Sequence, residues 1–140
     1  MEHDLDFWLG SWTCLWDGGH GTNRVTRELG DRVIVERFAA LAPEPFAGMS
    51  VSVFDADVGW RQTWVDENGS YWHFVGAADD ATFTFATREP VDADGTYKRM
   101  VFSDVEDDRF HWRWESSVDG AVWTERWAID YRRATGSTSD

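Results

Sequence analysis

Three polar side chains stand among large apolar ones. Gln62 lies between Trp60 and Trp64, Glu125 between Trp123 and Trp127, and Glu36 between Ile34 and Phe38. In an extended strand, alternate residues share a face, so each polar group shares one with its bulky neighbours. Burial there demands a partner: another side chain, water or a ligand. Apolar surroundings also raise the pKa of a carboxyl, which suits it to acid or base work. Glu36 and Glu125 would form a glycosidase-type pair only at the right separation, which the sequence does not fix.

Other chemistries find fewer residues. The histidines are His3, His20, His73 and His111, and no two have metal-ligand spacing, so no metal is expected. His20 sits among glycines in the Gly18 to Gly21 stretch. His73 belongs to Tyr71-Trp72-His73-Phe74, where both faces read as apolar or aromatic. Lys98 is the only lysine, and Arg99 beside it argues against a dry Schiff-base pocket. Cys14 is the only cysteine, so no intrachain disulfide forms, which fits a cytoplasmic location. There is no nucleophile elbow and no phosphate loop. Asp92-Ala93-Asp94-Gly95 lacks the later glutamate of a calcium loop, and Asn68-Gly69-Ser70 reads as a hairpin turn.

Composition narrows the partners. The chain has 140 residues, which suits one domain, and a formal charge of −13, the reverse of a nucleic-acid footprint. Anionic membranes should repel it, no apolar run is long enough for a membrane helix, and no secretory leader is visible. The 10 Trp, 9 Phe and 3 Tyr imply an aromatic core, an aromatic-lined cavity, or both.

The elements that must position these residues are strands. Period-two alternation runs through Ser11 to Trp16, Thr22 to Glu28, Arg32 to Ala40, Met49 to Asp55 and Trp60 to Val65. It resumes at Tyr71 to Ala77, Thr82 to Arg88, Tyr97 to Val105, Arg109 to Ser116 and Val122 to Arg132. Turn residues separate the runs, and no crossover helix suggests parallel pairing. The expectation is an all-β, closed, antiparallel up-and-down barrel of about ten strands, because closure removes sheet edges. It would occupy residues 1–133, with Leu5 to Leu9 as a one-turn helical plug and a flexible tail over 134–140. Trp60, Gln62 and Trp64 should face inward, as should Trp112, Trp114, Trp123, Glu125 and Trp127. A barrel of this strand number encloses more space than small side chains fill.

A resemblance supports this shape. Phe7-Trp8-Leu9-Gly10-Ser11-Trp12, Trp60 to Asp66, Trp114 to Gly120 and the closing Tyr131-Arg132-Arg133 resemble a bacterial family of calycin-like domains of unknown function. That family is related in architecture to lipocalins and fatty-acid-binding proteins. In calycins the tryptophan of the Gly-x-Trp motif closes one barrel end beneath an arginine from the last strand. The resemblance therefore implies that Trp12 lies under Arg132 or Arg133. It implies a fold and not a reaction.

The function expected is binding of a small hydrophobic or aromatic molecule in the barrel. The candidate lining is Glu36, Trp60, Gln62, Trp64, Trp72, His73, Arg99, Trp112, Trp114, Trp123 and Glu125. A cyclase or isomerase acting on a hydrophobic intermediate is one alternative, with Glu36, His73 or Glu125 moving the proton. A nitrobindin-like haem protein is another, with His20, His73 or His111 as axial ligand. A fully packed interaction protein is a third. No cofactor is called for by the residues, no catalytic residue is assigned, and a homodimer is left open.

Overall fold

Short turns force neighbours in sequence to pair in space, and a meander then has only its first and last strands left to join. The computed structural model, which describes residues 1–134, shows that closure. The strands are β1 (Gly10–Trp16), β2 (Gly19–Glu28), β3 (Val33–Ala42), β4 (Phe46–Asp55) and β5 (Gly59–Asp66). They continue as β6 (Tyr71–Asp79), β7 (Thr82–Ala86), β8 (Tyr97–Ser103), β9 (Arg109–Ser117) and β10 (Thr124–Arg133). All ten pair antiparallel in one closed barrel, with Trp12 opposite Arg133 and Cys14 opposite Tyr131 where β1 meets β10. Residues 135–140, most of the expected tail, lie outside the described residues, while Ala134 N–H still bonds Ser11 O at 2.9 Å.

The aromatic crowd at the N-terminus packs into one end of this barrel. Asp6–Trp8 forms a single 3-10 turn rather than an α-helix. It buries Leu5 and Trp8 completely. Trp8 meets Phe102 edge-on at 5.4 Å, and Trp12 meets Phe110 at 4.9 Å. The Trp12 Nε1–H donates to Trp8 O at 2.8 Å. Residues 1–9 reach right across this end. Arg27 on β2 donates to Glu2 O and pairs with Asp6, while Trp60 on β5 donates to Met1 O. Arg133, not Arg132, covers Trp12, with its guanidinium carbon 4.3 Å from the ring centre. It also donates to Leu9 O and, through two nitrogens, to Asp107 O. Gly10 is required beneath it: its φ is +128°, and a Cβ there would collide with the Arg133 guanidinium.

One expectation about faces is corrected. Read straight through, Trp123, Glu125 and Trp127 alternate onto one side. A β-bulge breaks the β9–β10 register between Glu125 and Trp127. Glu125 pairs with Glu115 and Trp127 with Trp114, leaving Arg126 as the extra residue. Trp127 therefore packs in the core, while Glu125 is exposed and opposite the outward Glu115. Trp123 precedes the strand and lies against Arg99, whose guanidinium carbon is 4.2 Å from its ring centre.

Candidate functional site

Sequence alternation turns a cluster of polar side chains into an otherwise apolar interior. Inward positions on β2 to β5 carry Asn23, Glu36, Ser50, Ser52 and Gln62, all buried, among Val25, Ile34, Phe38, Trp60 and Trp64. Inward positions on β6 to β10 carry Phe74, Phe85, Met100, Phe102, Phe110, Trp112, Trp114 and Trp127, with Tyr131 beside the polar groups. The polar cluster must find its partners inside the barrel.

It finds most of them. Glu36 accepts from Asn23 Nδ2 and from Ser50 Oγ, each at 2.7 Å, one on each carboxylate oxygen. Asn23 Nδ2 also donates to the Tyr131 hydroxyl at 2.9 Å, and Tyr131 bonds Cys14. Gln62 Nε2 donates to Ser52 Oγ at 3.0 Å. Two acceptors of this cluster, Asn23 Oδ1 and Gln62 Oε1, are buried without a partner among the described residues.

Burial dominates the electrostatics here. It pushes the Glu36 carboxyl above its ordinary value, against the lowering pull of the Asn23 and Ser50 hydrogen bonds. The Tyr131 hydroxyl is raised well above its usual range by burial, with Cys14 and Glu36 adding to the effect. The Cys14 thiol is pushed up to about 12, again chiefly by burial, so it is not a ready nucleophile.

The strands enclose a cavity of about 220 Å³ at the end of the barrel away from the 3-10 turn. Five indoles line it: Trp64 on β5, Trp72 on β6, Trp112 and Trp114 on β9, and Trp127 on β10. Trp72 and Trp114 stack at 5.3 Å and 19°, and Trp112 lies parallel to Trp114 at 6.3 Å. Trp127 stands edge-on to Trp112 at 5.7 Å. Phe38, Phe46 and Phe74 extend the aromatic surface, Glu36 and Tyr131 form a polar patch in it, and Asp66, Asn68 and Ser70 stand at its rim. The Trp64 and Trp72 rings are fixed by their N–H groups, which donate to Asp66 Oδ2 at 2.8 Å and Asp92 Oδ1 at 2.9 Å. Gly48 gives Trp64 its place, since a Cβ at Gly48 would overlap the indole.

Of the residues singled out from sequence, the cavity brings together Glu36, Trp64, Trp72, Trp112 and Trp114. Trp60 and Gln62 are inward and buried but do not line it. His73 is on the outer face, bonded to Thr63 Oγ1 at 3.1 Å. Arg99 is also outside, donating to Glu115 Oε1 at 2.6 Å. Glu125 is outside because of the bulge, and Trp123, which precedes β10, lies against the outward Arg99. None of the four histidines lines the cavity. Tyr131 and Asn23 were missed as members of the polar network. Tyr131 shares the alternating face of Trp127 and Ile129, which could have pointed to it; Asn23 sits among small and polar neighbours that give no such signal.

Among the described residues, no group of three or more His, Cys, Asp or Glu side chains could hold a metal ion. Among the same residues, no helix is long and apolar enough to cross a membrane. Neither a protein-family model nor a curated protein matches this chain. Chemically, the arrangement can desolvate a small apolar or aromatic molecule and can hold a proton on Glu36 beside it.

Proposed function

We propose that the barrel binds a small, largely aromatic molecule in the indole-walled cavity. The observation that carries this reading is the cavity itself, about 220 Å³ walled by five indoles with Glu36 and Tyr131 as its polar patch. That is roughly half as large again as the ~150 Å³ space known to hold benzene, so the occupant has one or two rings. A calycin-like identity is part of this reading, supported by Arg133 over Trp12 in the closed meander. The free, buried Cys14 suits a reducing compartment, and we place the protein in the cytoplasm. Haem draws no support, because no histidine faces the cavity.

Glu36 favours a second reading, a cavity enzyme that hands a proton to a hydrophobic intermediate. Its carboxyl lines the cavity and burial favours its protonated form.

The test of binding is titration with indole and 2-phenylethanol, followed by tryptophan emission. Five indoles around one ligand should give a clear quench or shift at micromolar to low millimolar concentration. Unchanged emission and no heat of binding up to solubility would end the cavity reading.

A further inference from the structure

We infer that the cavity is built for a cation: a small amine whose ammonium group sits beside Glu36 and whose organic part lies against the indole faces. This rests on the proposed binding function and names the ligand class.

The sign of the site comes first. The charged residues that line the cavity are Glu36 and Asp66, and no Lys, Arg or His among the described residues joins them. The nearby cations are already committed. Lys98 faces inward on β8, but its ammonium is held by Thr96 Oγ1 at 2.7 Å, Asp94 at 3.3 Å and Asp92 at 3.8 Å. Arg99 and Arg113 both clamp Glu115 on the outer face. An anionic ligand would therefore meet carboxylates with no countercharge.

Glu36 itself lacks a positive partner. The groups facing it are Asn23 from β2 and Ser50 from β4, both neutral donors, with Cys14 from β1 and Tyr131 from β10 as the titratable neighbours. Each carboxylate oxygen accepts one hydrogen bond, at 2.7 Å, which leaves a lone pair on each for a further donor. Burial works against the ionised form, and an ammonium placed beside it supplies what the protein does not.

The walls suit the same guest. Indole faces attract cations through the ring quadrupole. Trp64 and Trp72 donate their N–H groups to carboxylates, which turns their donors away and enriches the ring faces. An alkylammonium stays charged below about pH 9, as lysine does.

Three probes of like size separate the possibilities: 2-phenylethylamine, 2-phenylethanol and 3-phenylpropionate, titrated at pH 8 by calorimetry and tryptophan emission. The amine should bind at least about tenfold tighter than the alcohol, and the acid weakest, as a buried charged hydrogen bond would give. Glu36→Gln should shrink the amine-to-alcohol ratio to about threefold or less. An alcohol or acid that binds the unaltered protein as well as the amine overturns the cation and leaves the cavity reading intact. No binding by any probe overturns both. An amine preference that survives in a folded Glu36→Gln protein overturns Glu36 as the anchor. If that variant does not fold, the ranking of the three probes on the unaltered protein decides.

Discussion

Glu36 concentrates the tension in this barrel. It is buried, each of its two oxygens accepts one hydrogen bond from a neutral donor, and no cation offsets its charge. Its folded-state pKa is raised from 4.5, so the folded protein holds this proton more tightly than the unfolded chain does. The sign follows from linkage. Stability from Glu36 is fully present below about pH 4.5 and is lost as pH rises through that value toward the folded pKa, where the loss levels off. Glu36→Gln removes this titration. The stability of the unaltered protein minus that of the variant should therefore fall between pH 4.5 and 8, with a slope of up to about 1.4 kcal/mol per pH unit before the plateau. Urea unfolding of both proteins across that range reads the difference. Asp55, Asp94 and Asp119 act in the opposite sense, being held low by backbone N–H groups, but they are common to both proteins and cancel. Stopping at pH 8 keeps the raised Cys14 and Tyr131 protonated. A difference that stays flat or rises with pH would show that Glu36 is ionised throughout.

At the scale of strands, most of the barrel was legible, and the failures have physical causes. Turn residues and alternation gave all ten strands in order, because half-buried strands must alternate. Glu125 misled because a bulge adds one residue without leaving any mark in Trp123-Thr124-Glu125-Arg126-Trp127. His73 was ambiguous until the pairing of Trp64 with Trp72 turned Trp72 inward and His73 outward. Arg99 misled because its neighbour Lys98, the less expected candidate for burial, takes the inward position with carboxylates from the β7–β8 loop as partners. Gly48 was silent in sequence, yet β4 can pass the Trp64 ring only with hydrogen at that position. Gly48→Ala should displace Trp64, destabilise the barrel by about 1–3 kcal/mol through overpacking, and weaken 2-phenylethanol binding about tenfold. Thermal unfolding and the emission titration measure the two effects. Wild-type affinity in the variant would remove Trp64 from the binding wall.

On the scale of the whole molecule, the two barrel ends are used differently. The N-terminal segment, Arg133 and a packed aromatic cluster occupy one, while the other holds the open indole-walled space. The formal charge of −13 gives the molecule a net field that attracts cations and repels anions, and Asp66 stands at the rim of that opening. The field reaches about 30 Å at 0.01 M salt but only about 3 Å at 1 M. If the guest is an amine, salt should slow its arrival far more than it changes the contacts inside the cavity, which are shielded from bulk ions. Stopped-flow tryptophan emission with 2-phenylethylamine should show the association rate falling several-fold between about 0.01 M and 0.5 M sodium chloride. The dissociation rate should change by less than about twofold, since rim and long-range charges act on encounter and not on residence. For 2-phenylethanol both rates should stay level over the same range. An amine association rate as insensitive to salt as that of the alcohol would mean that the acidic surface serves solubility alone and does not guide the ligand to the cavity.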